Sequence, residues 1–272
     1  MDVAPLAAAR PTIDGLIAAA PGRVGLVVKS LSTGETLAWS ADERFPAASV
    51  IKLLVLVEAL RQADAGRLAL ADPVPIRPED RVGGTGILKE LPSVRSLTWL
   101  ELLTLMIVVS DNTATNVCID RLGFDAINAT AAALGLGETR LERKMMDWEA
   151  RARGVDNWTS ASDAARLLER LATRRILTPA ACDAALDILS RQQVRDRLPL
   201  RLPPDVRVAH KTGELPGVRH DVGVLFHDGD AVVIAALTSG FETPLGRGLV
   251  GGEASDLIAG IGRVVYDAVA AR

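Results

Sequence analysis

Ser49 and Lys52 are the residues whose types and spacing most directly suggest chemistry in this chain. They lie three positions apart in an apolar run that follows Pro46 and predicts a buried helix reaching Leu60. Residues three apart on a helix share a face, so the two side chains can meet. Burial lowers the pKa of a lysine, and a neutral amine can accept a proton from a hydroxyl. The pattern therefore predicts an activated serine nucleophile.

Two further short motifs follow along the chain, S-D-N beginning at Ser110 and K-T-G beginning at Lys211. S-x-x-K is short by itself, and most matches to it are solvated helix faces. Here S-D-N falls between two predicted helices, and K-T-G continues a predicted strand over 206–210. Together and in this order, the three motifs are the signature of class A β-lactamases and penicillin-binding proteins. The chain resembles the class A β-lactamase family from about Val24 to its C-terminus.

The resemblance implies a chemical role for the matched residues. Ser49 would attack a carbonyl carbon and become acylated, and Lys52 would take or relay its proton. The backbone N–H of Ser49 and an N–H just past Gly213 would form an oxyanion hole. Ser110, assisted by Lys211, would pass a proton to the leaving nitrogen.

Residues of the second and third motifs, and of the strand that follows them, would bind the substrate. Asn112 would hydrogen-bond an amide side chain of the substrate. Lys211 and Thr212, in the motif that ends at Gly213, would hold a substrate carboxylate. Arg219 or His220 on the neighbouring strand would add a cation, unless they form a solvent-facing strand end.

The loop that carries the deacylating glutamate in class A enzymes departs from the family pattern. The match holds through Arg143, but Met145 stands at the glutamate position, and methionine cannot accept a proton. Glu149 is the first replacement to consider as the base and Asp147 the second; alternatively, Glu149 is a solvated acid paired with a nearby arginine. This loop resembles that of penicillin-binding proteins built on the class A fold and of related serine hydrolases.

A long loop without sustained periodicity, over 135–158, contains these residues. Loops of this length in compact domains are usually functional. At its far end, Asp156 and Asn157 are expected to close the loop onto Arg143. Near the S-D-N motif, the glycine-rich stretch 83–86 is too irregular for a phosphate loop, and we expect a turn beside the active site.

Three functional interpretations are compatible with the motifs and with the altered loop. The first is a β-lactamase-like serine hydrolase with a relocated base. The second is a D-Ala-D-Ala-type peptidase, an esterase or an amidase on the same fold. The third is a penicillin-binding sensor that becomes acylated and stays acylated. All three predict a small-molecule β-lactam, peptide or ester carrying a carboxylate, with no cofactor and no metal ion.

Strands at both ends of the chain and helices in the middle predict an α+β fold. An antiparallel sheet formed from both chain termini would be flanked by helices, with an inserted all-helical lobe, as in the β-lactamase/transpeptidase fold. We expect one domain, with a sheet lobe at 11–45 and 200–272 and a helical lobe at 46–199. Predicted strands occupy 23–31, 36–39, 206–210, 222–227 and 231–238; predicted helices occupy 11–20, 99–109, 113–122, 125–134, 160–172, 178–191 and 253–270.

Composition limits the kinds of partner that we expect, and the start of the chain indicates the cellular compartment. The net charge is −3 with basic residues spread along 272 positions, and aromatics make up 3% of the chain, which argues against nucleic acid. No apolar run is long enough to span a bilayer. The start lacks the features of a signal peptide, which predicts a cytoplasmic protein, or a periplasmic or secreted one if an export signal has been removed. We expect a monomer in which Cys118 and Cys182 are free buried thiols.

Overall fold

A five-stranded antiparallel sheet in the order β2-β1-β9-β8-β7 forms the centre of the computed structural model, which describes residues 6–241 and 252–271. Strands from the two ends of the chain lie side by side, because β1 pairs with β9 along its whole length. The predicted sheet from both termini is confirmed. The strands are β1 (Arg23–Ser30), β2 (Thr36–Trp39), β7 (Arg207–Leu215), β8 (Val218–His227) and β9 (Asp230–Ser239).

Alternating apolar residues of the sheet face two separate hydrophobic cores. In β1, Val24, Leu26 and Val28 pack into one core, whereas Val27 packs into the other, as expected when successive side chains point to opposite faces. Helices α1 (Arg10–Ala18) and α9 (Glu253–Ala270) cover the first core. Helices α7 (Ala161–Ala172) and α8 (Pro179–Ser190) pack on the second face.

Helix α2 (Lys52–Asp64) runs through the second core, and its residues 52–60 are all buried. Around it lie the other helices of the central part of the chain: α3 (Trp99–Val108), α4 (Asn112–Leu122), α5 (Phe124–Ala133) and the short α6 (Trp148–Ala152). Within residues 6–241 and 252–271, no helix combines the length and the apolar character that crossing a membrane requires.

The region expected to be all-helical also contains short strands. β3 (Phe45–Pro46) pairs with β6 (Trp158–Thr159), and β4 (Pro73–Pro75) pairs with β5 (Ser96–Thr98). The first pair joins the segment before Ser49 to the end of the long loop. Parts of the predicted sheet lobe, 242–251 and 272, lie outside the described residues.

Two local predictions differ from the structure. The predicted helix after Pro46 is instead a 3₁₀ turn, Ala48–Ile51, followed by α2, because Pro46 is held in the β3–β6 pair. The strand predicted over 206–210 is Arg207–Leu215; it continues through K-T-G, as expected, and pairing with β8 carries it two residues further. Periodicity alone does not predict the strand beyond 210, since lysine, threonine and glycine carry no apolar alternation.

Candidate active site

Ser49 lies in the 3₁₀ turn that leads into α2. Its side chain is half-buried, whereas Ala48, Val50 and Ile51 around it are buried. Ala48 has a φ of +48°, in the left-handed region, and the Ala47 N–H donates a 2.7 Å hydrogen bond to the Asn157 carbonyl. The first N–H groups of a helix have no partner within the helix. The turn thus presents the Ser49 hydroxyl where free N–H donors are available.

Lys52, one helical turn after Ser49, is completely buried. Its Nζ lies 2.8 Å from the Ser110 carbonyl oxygen, 3.1 Å from Ser110 Oγ and 2.9 Å from Asn112 Oδ1. Burial lowers the pKa of Lys52 well below its ordinary value; the charge of Lys211 lowers it further, and Asp111 opposes both. A lowered pKa favours the neutral amine, which is the form that can act as a base.

Ser110 connects two buried lysines. Its hydroxyl lies 3.1 Å from Lys52 Nζ and 3.1 Å from Lys211 Nζ. Its backbone has a φ of +54°, and the residue ends the α3 segment before Asp111 caps α4. A hydroxyl between two amines can receive a proton from one side and release it on the other, which suits proton transfer to a leaving group.

Lys211 is also completely buried, and its Nζ donates a 2.7 Å hydrogen bond to the Thr212 carbonyl. Burial lowers the pKa of Lys211 to about 7; the nearby Arg197 guanidinium acts in the same direction, and Asp221 opposes both. Arg197 is 1% exposed and was not anticipated from the sequence. Lys52 and Lys211 therefore form a pair of easily deprotonated amines on either side of Ser110.

The S-D-N motif is fixed by the glycine-rich stretch 83–86. Asp111 accepts hydrogen bonds from the N–H groups of Ile87 and Leu88 at 2.7 and 2.8 Å. Asn112 Nδ2 donates to the Gly83 carbonyl at 3.2 Å, and Thr85 Oγ1 donates to the Ser110 carbonyl at 2.8 Å. The stretch is a turn beside the site, as expected.

Gly213 lets the edge strand β7 approach the Ser49 turn. A Cβ placed on Gly213 would lie 3.2 Å from Ala48 Cβ, from Val50 Cγ2 and from His220 Cδ2. β7 is the outer strand of the sheet, so one row of its backbone groups does not pair with another strand. The geometry thus places the K-T-G strand beside the Ser49 turn, with Thr212 buried at 4% exposure.

His220 does not fit the expected role of a cation. It is completely buried, and burial lowers its pKa to about 4, so the ring is neutral near neutral pH. Nδ1 accepts a 3.0 Å hydrogen bond from the Thr238 N–H, and Nε2 lies 2.8 Å from the Pro46 carbonyl, which it reaches as donor. We correct the expectation: His220 supports the segment before Ser49.

Arg219 is already paired with a carboxylate of the protein itself, so it is not free to receive a substrate carboxylate. Its side chain is 10% exposed, so it is not a solvent-facing strand end. Its guanidinium bonds Glu214 through Nη1 at 3.2 Å and lies 3.1 Å from that residue through Nη2. This pairing was not predicted from the sequence, because Glu214 and Arg219 become neighbours through the β7–β8 register.

Glu149 does not share a face with Met145. The helix α6 begins only at Trp148, with Asp147 as its N-cap, and Met146 has a φ of +66°. A four-residue spacing brings side chains together only within one continuous helix. The Glu149 side chain is exposed, and among the described residues it has no hydrogen bond or ion pair, including with the arginines considered from the sequence. A role as base remains a prediction without a supporting contact.

Met145 is buried at 7% exposure and held by a side chain that sequence reasoning missed. Asn116 accepts from the Met145 N–H at 2.8 Å and donates to the Met145 carbonyl at 3.1 Å. Asn116 follows Asn112 by four residues on α4, so the shared helix face was the available signal. The loop position that carries a glutamate in class A enzymes is thus fixed by its backbone and occupied by an apolar side chain.

The long loop closes as expected. Arg143 Nε donates to Asp156 Oδ1 at 2.8 Å, and Arg143 Nη2 lies 2.7 Å from the same oxygen. Asn157 Oδ1 accepts from the N–H groups of Glu142 and Arg143, and its Nδ2 donates to the Arg143 carbonyl. The Asn157 carbonyl in turn holds Ala47, which links loop closure to the Ser49 turn.

The predicted free thiols are confirmed, since Cys118 and Cys182 are unpaired and buried. Burial raises the pKa of the Cys118 thiol, which makes it an unreactive thiol rather than a nucleophile.

Solved structures similar to this one include β-lactamases and a penicillin-binding protein. A β-lactamase from Sphaerobacter thermophilus is 32% identical with a TM-score of 0.84, and the match covers 100% of this chain and 99% of that one. PBP-A is 32% identical with a TM-score of 0.87, covering 98% of both chains. An ancestral class A β-lactamase is 28% identical with a TM-score of 0.85, covering 96% of this chain and 99% of that one.

The family model described as the β-lactamase enzyme family matches residues 8–269, which is nearly the whole chain. The sequence motifs, the sheet topology and the site around Ser49 agree with that match. The chain therefore belongs to the β-lactamase enzyme family.

Proposed function

We propose that this protein is a serine hydrolase of the class A β-lactamase type, acylated at Ser49 by a β-lactam or a related amide or ester. The observation that carries the proposal is the contact of Ser110 Oγ with both Lys52 and Lys211 at 3.1 Å. Of these two lysines, Lys52 lies one helical turn after Ser49. Two buried amines and a bridging hydroxyl supply a route for a proton from nucleophile to leaving group.

The acylation step follows from this arrangement. Neutral Lys52 takes the Ser49 hydroxyl proton as Ser49 Oγ bonds to the carbonyl carbon, giving a tetrahedral oxyanion. N–H groups of the Ser49 turn and of the β7 edge would stabilise that charge. The carbon–nitrogen or carbon–oxygen bond then breaks, and Ser110 gives its proton to the leaving atom. The proton taken by Lys52 returns to Ser110, which leaves an acyl-enzyme and a protonated leaving group.

A second candidate, a penicillin-binding protein that releases its acyl group slowly, is favoured by Met145. Deacylation needs a base close to the attacking water, and methionine provides none. Glu149 is exposed on α6 and has no contact that would aim it at Ser49. A mutant of the similar PBP-A has been solved as an acyl-enzyme complex with penicillin G. We therefore expect acylation to be faster than release.

The test is intact-protein mass spectrometry over time, with benzylpenicillin in one series and a simple phenyl ester in another. Acylation that decays identifies a hydrolase, and acylation that persists identifies the penicillin-binding alternative. Turnover of the ester without reaction of the β-lactam identifies an esterase. Ser49→Ala should abolish the added mass while the circular dichroism spectrum stays unchanged. Added mass in folded Ser49→Ala would refute the assignment of the nucleophile.

A further inference from the structure

Four charged side chains form a closed cluster beside the K-T-G motif: Asp196, Arg197, Glu214 and Arg219. Glu214 directly follows Gly213 on β7 and faces Arg219 on β8. Its Oε2 accepts hydrogen bonds from Arg197 Nη2 at 2.9 Å and from Arg219 Nη1 at 3.2 Å. Asp196 lies 3.4 Å from Arg197 and 3.7 Å from Arg219. Two guanidinium groups thus face two carboxylates.

Within the cluster, the positive charges of the two arginines are matched by the negative charges of the two carboxylates. The Arg197 and Arg219 side chains are only 1% and 10% exposed, and each contacts both carboxylates. Buried charges of this kind need opposite charges nearby, and here the protein supplies them, although Asp196 Oδ1, Arg197 Nε and Arg219 Nε make no hydrogen bond within the described residues. Glu214 is the most exposed member, with 54% of its side chain accessible. An anion that approached these arginines from solvent would meet the carboxylate of Glu214 first.

Glu214 occupies the part of β7 where a substrate carboxylate would be held. Residues two apart in a strand point to the same face, so Glu214 and Thr212 share a face, about 7 Å apart along the strand. Between them, a Cβ placed on Gly213 would lie 3.2 Å from Ala48 and from Val50, the residues on both sides of Ser49. The N–H just past Gly213 is the one expected to bind the oxyanion, so the backbone of Glu214 would lie beside the reacting carbonyl, and its carboxylate would repel a second carboxylate bound there.

Lys211 adds little fixed positive charge to offset Glu214. Its pKa of about 7 leaves it only partly protonated near neutral pH. His220, on the strand opposite, is neutral there as well.

We propose that Glu214 is a specificity-determining residue that neutralises Arg197 and Arg219 and selects substrates without a carboxylate beside the reacting bond. The favoured class is neutral esters and amides. This inference rests on the proposed acylation of Ser49 and departs from the expectation of a carboxylate-bearing substrate. Glu214 acts through charge on the binding of substrate and takes no part in bond making.

Two matched substrate pairs test the proposal. The first is benzylpenicillin and its methyl ester; the second is a 3-carboxyphenyl ester and the 3-carbamoylphenyl ester of the same acid. We expect the neutral member of each reacting pair to acylate the wild-type protein at least tenfold faster. Glu214→Gln should raise the acylation rate constant of the carboxylate member at least tenfold and change that of the neutral member less than twofold.

Glu138→Gln is the matched control variant. Glu138 is a glutamate of similar exposure, 45%, and lies 3.3 Å from Arg44, outside the site. Its replacement should leave both members of each pair unchanged. A Glu214→Gln protein with the wild-type ratio, or a wild-type protein that reacts faster with the carboxylate members, would overturn the inference.

A wild-type measurement supports the test if Glu214→Gln fails to fold. Added salt screens the repulsion, since the Debye length falls from about 10 Å at 0.1 M to about 3 Å at 1 M. The rate ratio should therefore shift towards the carboxylate member as salt increases; a ratio independent of salt overturns the inference.

A fluorophosphonate probe separates the two proposals. Absence of Ser49 labelling refutes the proposed function, whereas labelled Ser49 with a preference for carboxylate members refutes the role of Glu214 alone.

Discussion

Two buried lysines share one serine hydroxyl, and burial lowers the pKa of both amines. Lys52 and Lys211 are both completely buried, and Ser110 Oγ lies 3.1 Å from each amine. Two positive charges in this space would repel each other and would both be poorly solvated. Burial thus favours the neutral form of both amines, which is the form of Lys52 that the proposed acylation step uses.

Acylation should become faster as pH rises through the pKa of Lys52. Burial lowers that pKa, and only the neutral amine can take the Ser49 proton, so the base form is lost as pH falls. Lys52→Arg should therefore lose acylation by 100-fold or more, since arginine stays charged. Single-turnover acylation rates from pH 5 to 9 would measure both effects. Near-normal acylation by Lys52→Arg would contradict the role of Lys52 as base.

Lys211 should make folding stability depend on pH between about 7 and 10.5. Its pKa is about 7 in the folded protein and near its ordinary 10.5 in the unfolded chain. In that window the unfolded chain binds a proton that the folded protein does not, so stability rises with pH. The gain over the window is about 5 kcal/mol at most. Urea unfolding at several pH values measures this free energy for the wild type and for Lys211→Met, which has no titrating group at position 211. The free energy of unfolding of the wild type should rise with pH relative to that of the variant, and parallel profiles would disprove the prediction.

At the scale of elements, hydrophobic periodicity predicted seven helices to within two residues at each end, whereas the helix predicted from Pro46 to Leu60 is Lys52–Asp64, and α6 lies in a stretch predicted as a loop. The helix expected over 160–172 is Ala161–Ala172, and the one expected over 253–270 is Glu253–Ala270. Apolar residues on one face identify such helices without knowledge of the tertiary structure. Shared-face reasoning failed at Glu149, because the left-handed backbone at Met146 interrupts the regular spacing.

The long loop could be predicted only in part, because distant side chains order it. Asn157 binds the backbone of Glu142 and Arg143, and Asn116 on α4 binds the backbone of Met145. These hydrogen bonds join residues 14 to 29 positions apart. No local pattern encodes them, and only the Arg143 closure was suggested by the family resemblance.

Removing the acid that closes this loop should destabilise the protein strongly. Asp156→Ala leaves the Arg143 guanidinium, with 5% of its side chain exposed, without its main partner. Breaking a buried ion pair by removing one partner costs about 3–5 kcal/mol. As control, Asp120→Ala breaks the ion pair with Lys144, whose two side chains are 36% and 41% exposed, and should cost under about 1 kcal/mol. Urea denaturation of both variants measures the loss in the free energy of unfolding. Equal losses would show that the Arg143 pair stabilises the protein no more than the exposed pair does.

At the scale of the whole molecule, the site is assembled where the sheet meets the helices. Lys211 on the edge strand and Ser110 between α3 and α4 are 101 positions apart in sequence, yet their side chains touch. The motifs predicted this meeting through resemblance to a family, since nothing local to either residue requires it. The charge cluster around Glu214 could not be predicted in the same way, because it depends on a cross-strand register and on Arg197 from a separate segment.

If release of the proposed acyl group is slow because Met145 provides no base, Met145→Glu should speed that release. Asn116 already fixes the backbone of this residue on both sides, so a glutamate there would be held in place like the present methionine. A carboxylate could accept the proton of an attacking water, and a positioned general base contributes about 100-fold or more. We therefore expect faster loss of the penicilloyl group in time-resolved mass spectrometry, with little change in acylation. Glutamine is polar and nearly the same size as glutamate, but it cannot act as a base. Met145→Gln should therefore release the acyl group at the wild-type rate. Equal rates for the glutamate and glutamine variants would mean that the missing base does not limit release.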